Sequence, residues 1–128
     1  MTETIEHLRL PPDPSSAGAA RRFVASSLRG SSDAVEELAV LLVSELASNA
    51  VLHARTEFEL CVRTSPDRYR VEVADTNPML PTLKHYVAES VTGRGLHMVA
   101  ASADRWGFES TTRGKVVWFE LQRSNGAR

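Results

Sequence analysis

The chain has 128 residues, 24% of them charged, a formal net charge of −1 and a single cysteine. That length suits one domain built on a single two-layer core. The near-neutral balance offers no bulk basic field for nucleic acid, and a lone Cys61 excludes an internal disulfide or a cysteine-based zinc site. No basic-then-apolar leader opens the sequence and no apolar run is long enough to span a bilayer, so a soluble cytoplasmic protein is expected.

In chain order, Thr4 to Leu10 is mildly strand-like and is ended by Pro11, Pro12 and Pro14. Ser15 and Ser16 are the expected N-caps of a first helix reaching about Leu28, with Ala19, Phe23, Val24 and Leu28 as its apolar positions and Gly30 closing it. Ser31, Ser32 or Asp33 caps a second helix, Glu36 and Glu37 favour its first turn, and it is expected to run to about His53. Phe58, Leu60 and Val62 alternate with polar neighbours in one strand. Tyr69, Val71 and Val73 do so in the next, across a hairpin loop at Ser65-Pro66-Asp67. Cys61 lies in the first of these strands and reads as a small apolar filler rather than a nucleophile.

From Thr76 to Thr92 periodicity disappears, and a loop of that length inside a compact domain is usually functional. Gly93-Arg94-Gly95 opens a third helix, Leu96 to about Ala103. Two strands close the chain, 105–110 and 115–122, joined at Thr112-Arg113-Gly114, before a frayed tail. Hairpin-joined, half-buried strands imply an α/β (α+β) two-layer sandwich, with a largely antiparallel sheet and helices on one face.

Three clusters carry the chemistry. Glu45, Asn49 and His53 stand at i, i+4 and i+8. At about 100° per residue they fall within roughly 80° of helix arc, the arc that Val35, Leu38 and Leu42 also share. Polar groups on a buried face need partners or a ligand, and a carboxylate beside an amide oxygen suits a hard cation such as Mg²⁺. Asp75-Thr76-Asn77-Pro78 ends an apolar strand with an acceptor for an exocyclic amine. Gly93-Arg94-Gly95-Leu96 places free backbone N–H groups and a helix N-terminus where an anion is held. Phosphoryl transfer needs mainly such positioning, charge neutralisation and an oriented nucleophile. Singly, each piece has a plainer role: Glu45 a rim residue, Asn49 a core amide, His53 a C-cap, Asp75 an Asx-turn, Arg94 a solvated cation. Their joint occurrence in this order carries the argument.

Together these residues resemble the GHKL ATPase superfamily. Glu45-Leu-x-x-Asn49-Ala-x-x-His53-Ala looks like its N-box, Asp75-x-Asn77-Pro78 sits in the place of its G1 box, and Gly93-Arg94-Gly95-Leu96 in the place of its G2 box. Gly114-Lys-Val-Val-Trp118-Phe-Glu-Leu121 is similar to its closing strand. The resemblance runs from about Leu8 to Leu121 and implies a single Bergerat-fold ATP-binding domain over 1–128. Its small size is similar to the RsbW-type branch of anti-sigma factors that are serine/threonine protein kinases.

On the matching positions, the resemblance implies that Asn49 holds Mg²⁺ bridging the phosphates of ATP and that Glu45 is the catalytic base. It places Asp75 on the adenine amine and residues 93 to 96 on the phosphates. His53, Asn77 and Arg94 join the cofactor site, and about 76–92 forms the lid. It further implies a sigma factor and an anti-sigma-factor antagonist as partners, and a homodimer. The chain departs from the pattern where the G1 box usually reads Asp-x-Gly-x-Gly: Asn77 and Pro78 fall on the first glycine and Leu80 on the second. Asn77 is expected to take the glycine's place because asparagine tolerates left-handed backbone. A non-catalytic module with weak or lost nucleotide binding is the alternative. An isolated histidine-kinase half is disfavoured, for no phosphoacceptor helix is present.

Overall fold

The computed structural model describes residues 3–77 and 95–123, with 95–97 by their backbone alone. Five strands form one sheet: β1 (Thr4–Leu10), β2 (Phe58–Thr64), β3 (Arg68–Asp75), β4 (Arg105–Ser110) and β5 (Lys115–Gln122). Their order is β1-β2-β3-β5-β4 and every ladder is antiparallel. Helices α1 (Ser15–Ser27), α2 (Asp33–Asn49) and α3 (Gly95–Ser102) accompany the sheet, as expected for a two-layer α+β sandwich.

Strand alternation decides which face is covered. Tyr69, Val71, Val73 and Asp75 of β3 are buried and the residues between them are not, so one face of the strand turns to the core. On β5 the same phase comprises Lys115, Val117, Phe119 and Leu121. Helix α2 answers with Ala39, Leu42, Val43, Leu46 and Ala47, a 3–4 spacing that makes one buried stripe. Phe58 and Phe119 are the largest fully buried side chains of the resulting core. Each contributes about 1.5–3 kcal/mol of transfer free energy. The other sheet face is polar. There the Arg70 guanidinium lies 3.9 Å from the centroid of the Trp118 ring, and Glu120 accepts from Arg68 at 3.2 Å and Arg70 at 3.0 Å.

Three local expectations are corrected. The cap of α1 is not a serine: Asp13 Oδ2 accepts from Ser15 N–H at 3.0 Å, while Ser16 turns inward and donates its hydroxyl to Pro11 O at 2.8 Å. The α-helix of α2, capped by Ser32 accepting from Val35 N–H, stops at Asn49 rather than His53. A single π turn, Ala50–Ala54, follows, closed by Arg55 N–H donating to Ala50 O at 3.0 Å. Finally, Asn77 does not take a left-handed backbone. Among the described residues Arg55 alone, apart from glycine, has positive φ, at 59°. The proposed lid, Pro78, Leu80, Gly93 and Arg94 lie outside the described residues.

Candidate functional site

The site grows from the paired ends of β3 and β5. Asp75 is the last residue of β3 and stands directly across from Lys115, the first of β5. Both side chains are on the helix-facing side and buried, at 8% and 4% residue exposure. Lys115 Nζ lies 3.0 Å from Asp75 Oδ2 and 3.1 Å from Oδ1, and donates also to Asn77 O at 3.3 Å. Asp75 Oδ1 accepts a further bond from Asn77 N–H at 2.8 Å, an Asx-type turn that stops the strand. The strands come this close because position 114 has no side chain. A Cβ there would sit 2.1 Å from the carbonyl oxygen of Asp75.

The end of α2 is tied to this corner. Asn77 Nδ2 reaches Ala54 O at 3.5 Å, linking the residues after β3 to the π turn. One turn back, Asn49 is 3% exposed, and its Nδ2 has no hydrogen-bond partner among the described residues. A buried amide left unpaired costs about 1–3 kcal/mol, which a ligand can return. Glu45, four residues earlier, is half-buried on the same face of α2. His53 occupies the π turn and is half-buried; the wider turn takes it off the strict i+8 line with Glu45 and Asn49. Helix α3 begins at Gly95, packs on α2 through its helix layer and buries Val99.

Of the residues singled out from sequence, Asp75 and Asn77 are therefore brought together, tied to Ala54 at the end of the π turn, and Asn49 lies just before that turn on α2. Glu45 and His53 flank them along α2. Gly95 and Leu96 are seen only as the start of α3. Sequence reasoning missed Lys115. Its signal was present: on β5 it alternates in phase with Val117, Phe119 and Leu121, and a lysine in an apolar phase demands a counter-charge. Cys61 is buried, and desolvation, with the Glu72 carboxylate second, pushes its thiol above the usual cysteine range, as suits a packing residue.

A cation would find few protein ligands here. Among the described residues no three His, Cys, Asp or Glu side chains cluster for a metal. By donor type the side-chain oxygen of Asn49 suits Mg²⁺ that takes its remaining ligands from phosphate and water.

The described residues thus form a two-layer α+β sandwich with a buried carboxylate–ammonium pair at a strand end and, on the facing helix, an Asn49 Nδ2 without a partner among them. The chain belongs to the histidine kinase-like ATPase domain family, whose model matches residues 10–121. It is thus a GHKL-type ATPase domain. Among solved structures, the chain is similar to that of the RsbU and RsbW domains of Rv1364c from Mycobacterium tuberculosis. The TM-score is 0.73 at 16% identity over 94% of this chain, which spans only 32% of that one. At that identity the likeness is one of fold. No curated protein matches the sequence.

Proposed function

We propose that this chain is an ATP-binding bacterial regulatory protein of the anti-sigma factor and serine-protein kinase type. It sequesters a sigma factor and phosphorylates a serine of the antagonist. The observation that supports the reading is the corner where Asn77 joins buried Asp75 to Ala54, at the end of the turn that follows Asn49, in a chain of the histidine kinase-like ATPase family. The RsbW-domain likeness of fold supports the choice of branch.

In this reading Asp75 receives the base and Asn49 holds Mg²⁺, which neutralises phosphate charge when bound. Residues 93 to 96 are assigned to the phosphates. Glu45 takes the proton from the attacking serine hydroxyl of the antagonist as that oxygen bonds to the γ-phosphorus and ADP departs. Asn77 positions Asp75, and His53 steadies the end of α2.

The test combines calorimetry with ATP and Mg²⁺ and phosphate transfer to an anti-sigma-factor antagonist protein. Asn49→Ala is expected to abolish ATP binding, and Glu45→Ala to leave binding intact while transfer falls by about 100-fold or more. Undiminished transfer by Glu45→Ala removes the base assignment. A second reading, a protein-binding module that has lost turnover, is favoured by one observation: the Lys115 ammonium already holds both oxygens of Asp75. Absence of heat with millimolar ATP and ADP would decide for it.

A further inference from the structure

We propose that Lys115 determines which purines this site accepts, by placing a hydrogen-bond donor beside the Asp75 acceptor so that a 6-oxo purine is bound about as well as a 6-amino one. The inference rests on the nucleotide reading above and concerns the same corner.

The geometry leaves little freedom. Lys115 is 4% exposed, and its three N–H donors face Asp75 Oδ2 at 3.0 Å, Asp75 Oδ1 at 3.1 Å and Asn77 O at 3.3 Å. Its backbone is pinned by the close approach of Gly114 to Asp75 O and Thr76. Asp75 gives two acceptor positions on Oδ1, to Asn77 N–H and to Lys115, and one on Oδ2, which leaves a single position on Oδ2 for a ligand. Stability alone does not explain the pair, since a buried ion pair breaks about even with apolar side chains of the same volume.

A lone carboxylate at this point reads an amine and rejects a carbonyl, because two acceptors would face each other without water. With the ammonium 3.0 Å away the pattern becomes acceptor beside donor. An adenine amine then uses the remaining Oδ2 position, and a hypoxanthine or guanine O6 takes the Lys115 N–H that otherwise makes the longest of its three bonds, 3.3 Å to Asn77 O. The amine gains less than it would from a free carboxylate, and the carbonyl is no longer penalised. Selectivity between the two bases is thereby flattened.

The experiment measures dissociation constants of the full chain for adenosine and inosine triphosphates with Mg²⁺, in the wild type and in Lys115→Thr. The threonine hydroxyl can still donate to Asp75. For the wild type the inosine-to-adenosine ratio is expected within ~3-fold; in Lys115→Thr it rises to ~30-fold or more, mostly through tighter adenosine triphosphate. A wild-type ratio above ~30 overturns the proposal without any variant, so it is decided even if Lys115→Thr does not fold. A folded Lys115→Thr that binds adenosine triphosphate with an unmoved ratio also overturns it, while the nucleotide reading stands. If neither protein binds either nucleotide, both fall together.

Discussion

Replacing Gly114 by alanine tests whether the corner between β3 and β5 is as tight as it looks. The added methyl would meet Asp75 O at 2.1 Å, Thr76 Cα at 2.6 Å and Thr76 C at 2.7 Å. All three are backbone atoms, so no side chain can swing aside. Relief requires the two strands to part by about 0.9 Å to reach the shortest contact real side chains show. That displacement strains the Asp75–Lys115 ladder position and the ion pair beneath it.

Loss of about two hydrogen bonds at ~1 kcal/mol each, with partial loss of a buried pair, comes to about 3 kcal/mol. For a domain of this size that lowers Tm by roughly 10–15 °C. The assay is thermal unfolding followed by far-UV circular dichroism, with urea unfolding as a check on two-state behaviour. Gly18→Ala supplies the control of opposite sign. Gly18 sits inside α1, its would-be Cβ meets only arginine side-chain ends at 3.4 and 3.5 Å, and alanine there should stabilise by ~0.5–1 kcal/mol. A Gly114→Ala protein that loses less than ~1 kcal/mol refutes the packing argument and loosens everything built on the corner.

Two further changes follow from single residues. Asn49→Ala removes an amide that has no partner among the described residues, so the ligand-free protein should keep its stability within ~1 kcal/mol. The proposed function expects saturating ATP and Mg²⁺ to raise the wild-type Tm and expects that rise to vanish in Asn49→Ala; thermal shift with and without nucleotide reads both. Arg55 carries φ 59° after the π turn, so Arg55→Gly should stabilise by ~0.5–1 kcal/mol and Arg55→Val destabilise by ~1–2 kcal/mol, measured by urea unfolding.

The fold was legible where a pattern repeats. Alternation along Phe58–Thr64, Arg68–Asp75 and Lys115–Gln122 located the strands, and Ser65-Pro66-Asp67 located the hairpin. Irregular features escaped. A π turn in Ala50–Ala54 leaves no mark on composition, because one extra residue per turn alters phase and not hydrophobicity. The capping role of Asp13 was hidden by two serines that each fit the same rule. At the candidate site, Asp75 and Asn49 were visible as polar residues in apolar surroundings. Lys115 obeys the same logic but was absorbed into a strand motif, and its meaning depends on a partner 40 positions away. Asn77 keeps an ordinary backbone. It joins two elements through its amide groups, which no local propensity encodes.

The corner is assembled from the turn after α2, the end of β3 and the start of β5, the last of the described strands. During synthesis Asp75 is therefore without its counter-ion until Lys115 arrives from 40 positions downstream. The charge pair at this corner therefore reports on the whole sheet at once, since it exists only when strands distant in sequence have docked side by side.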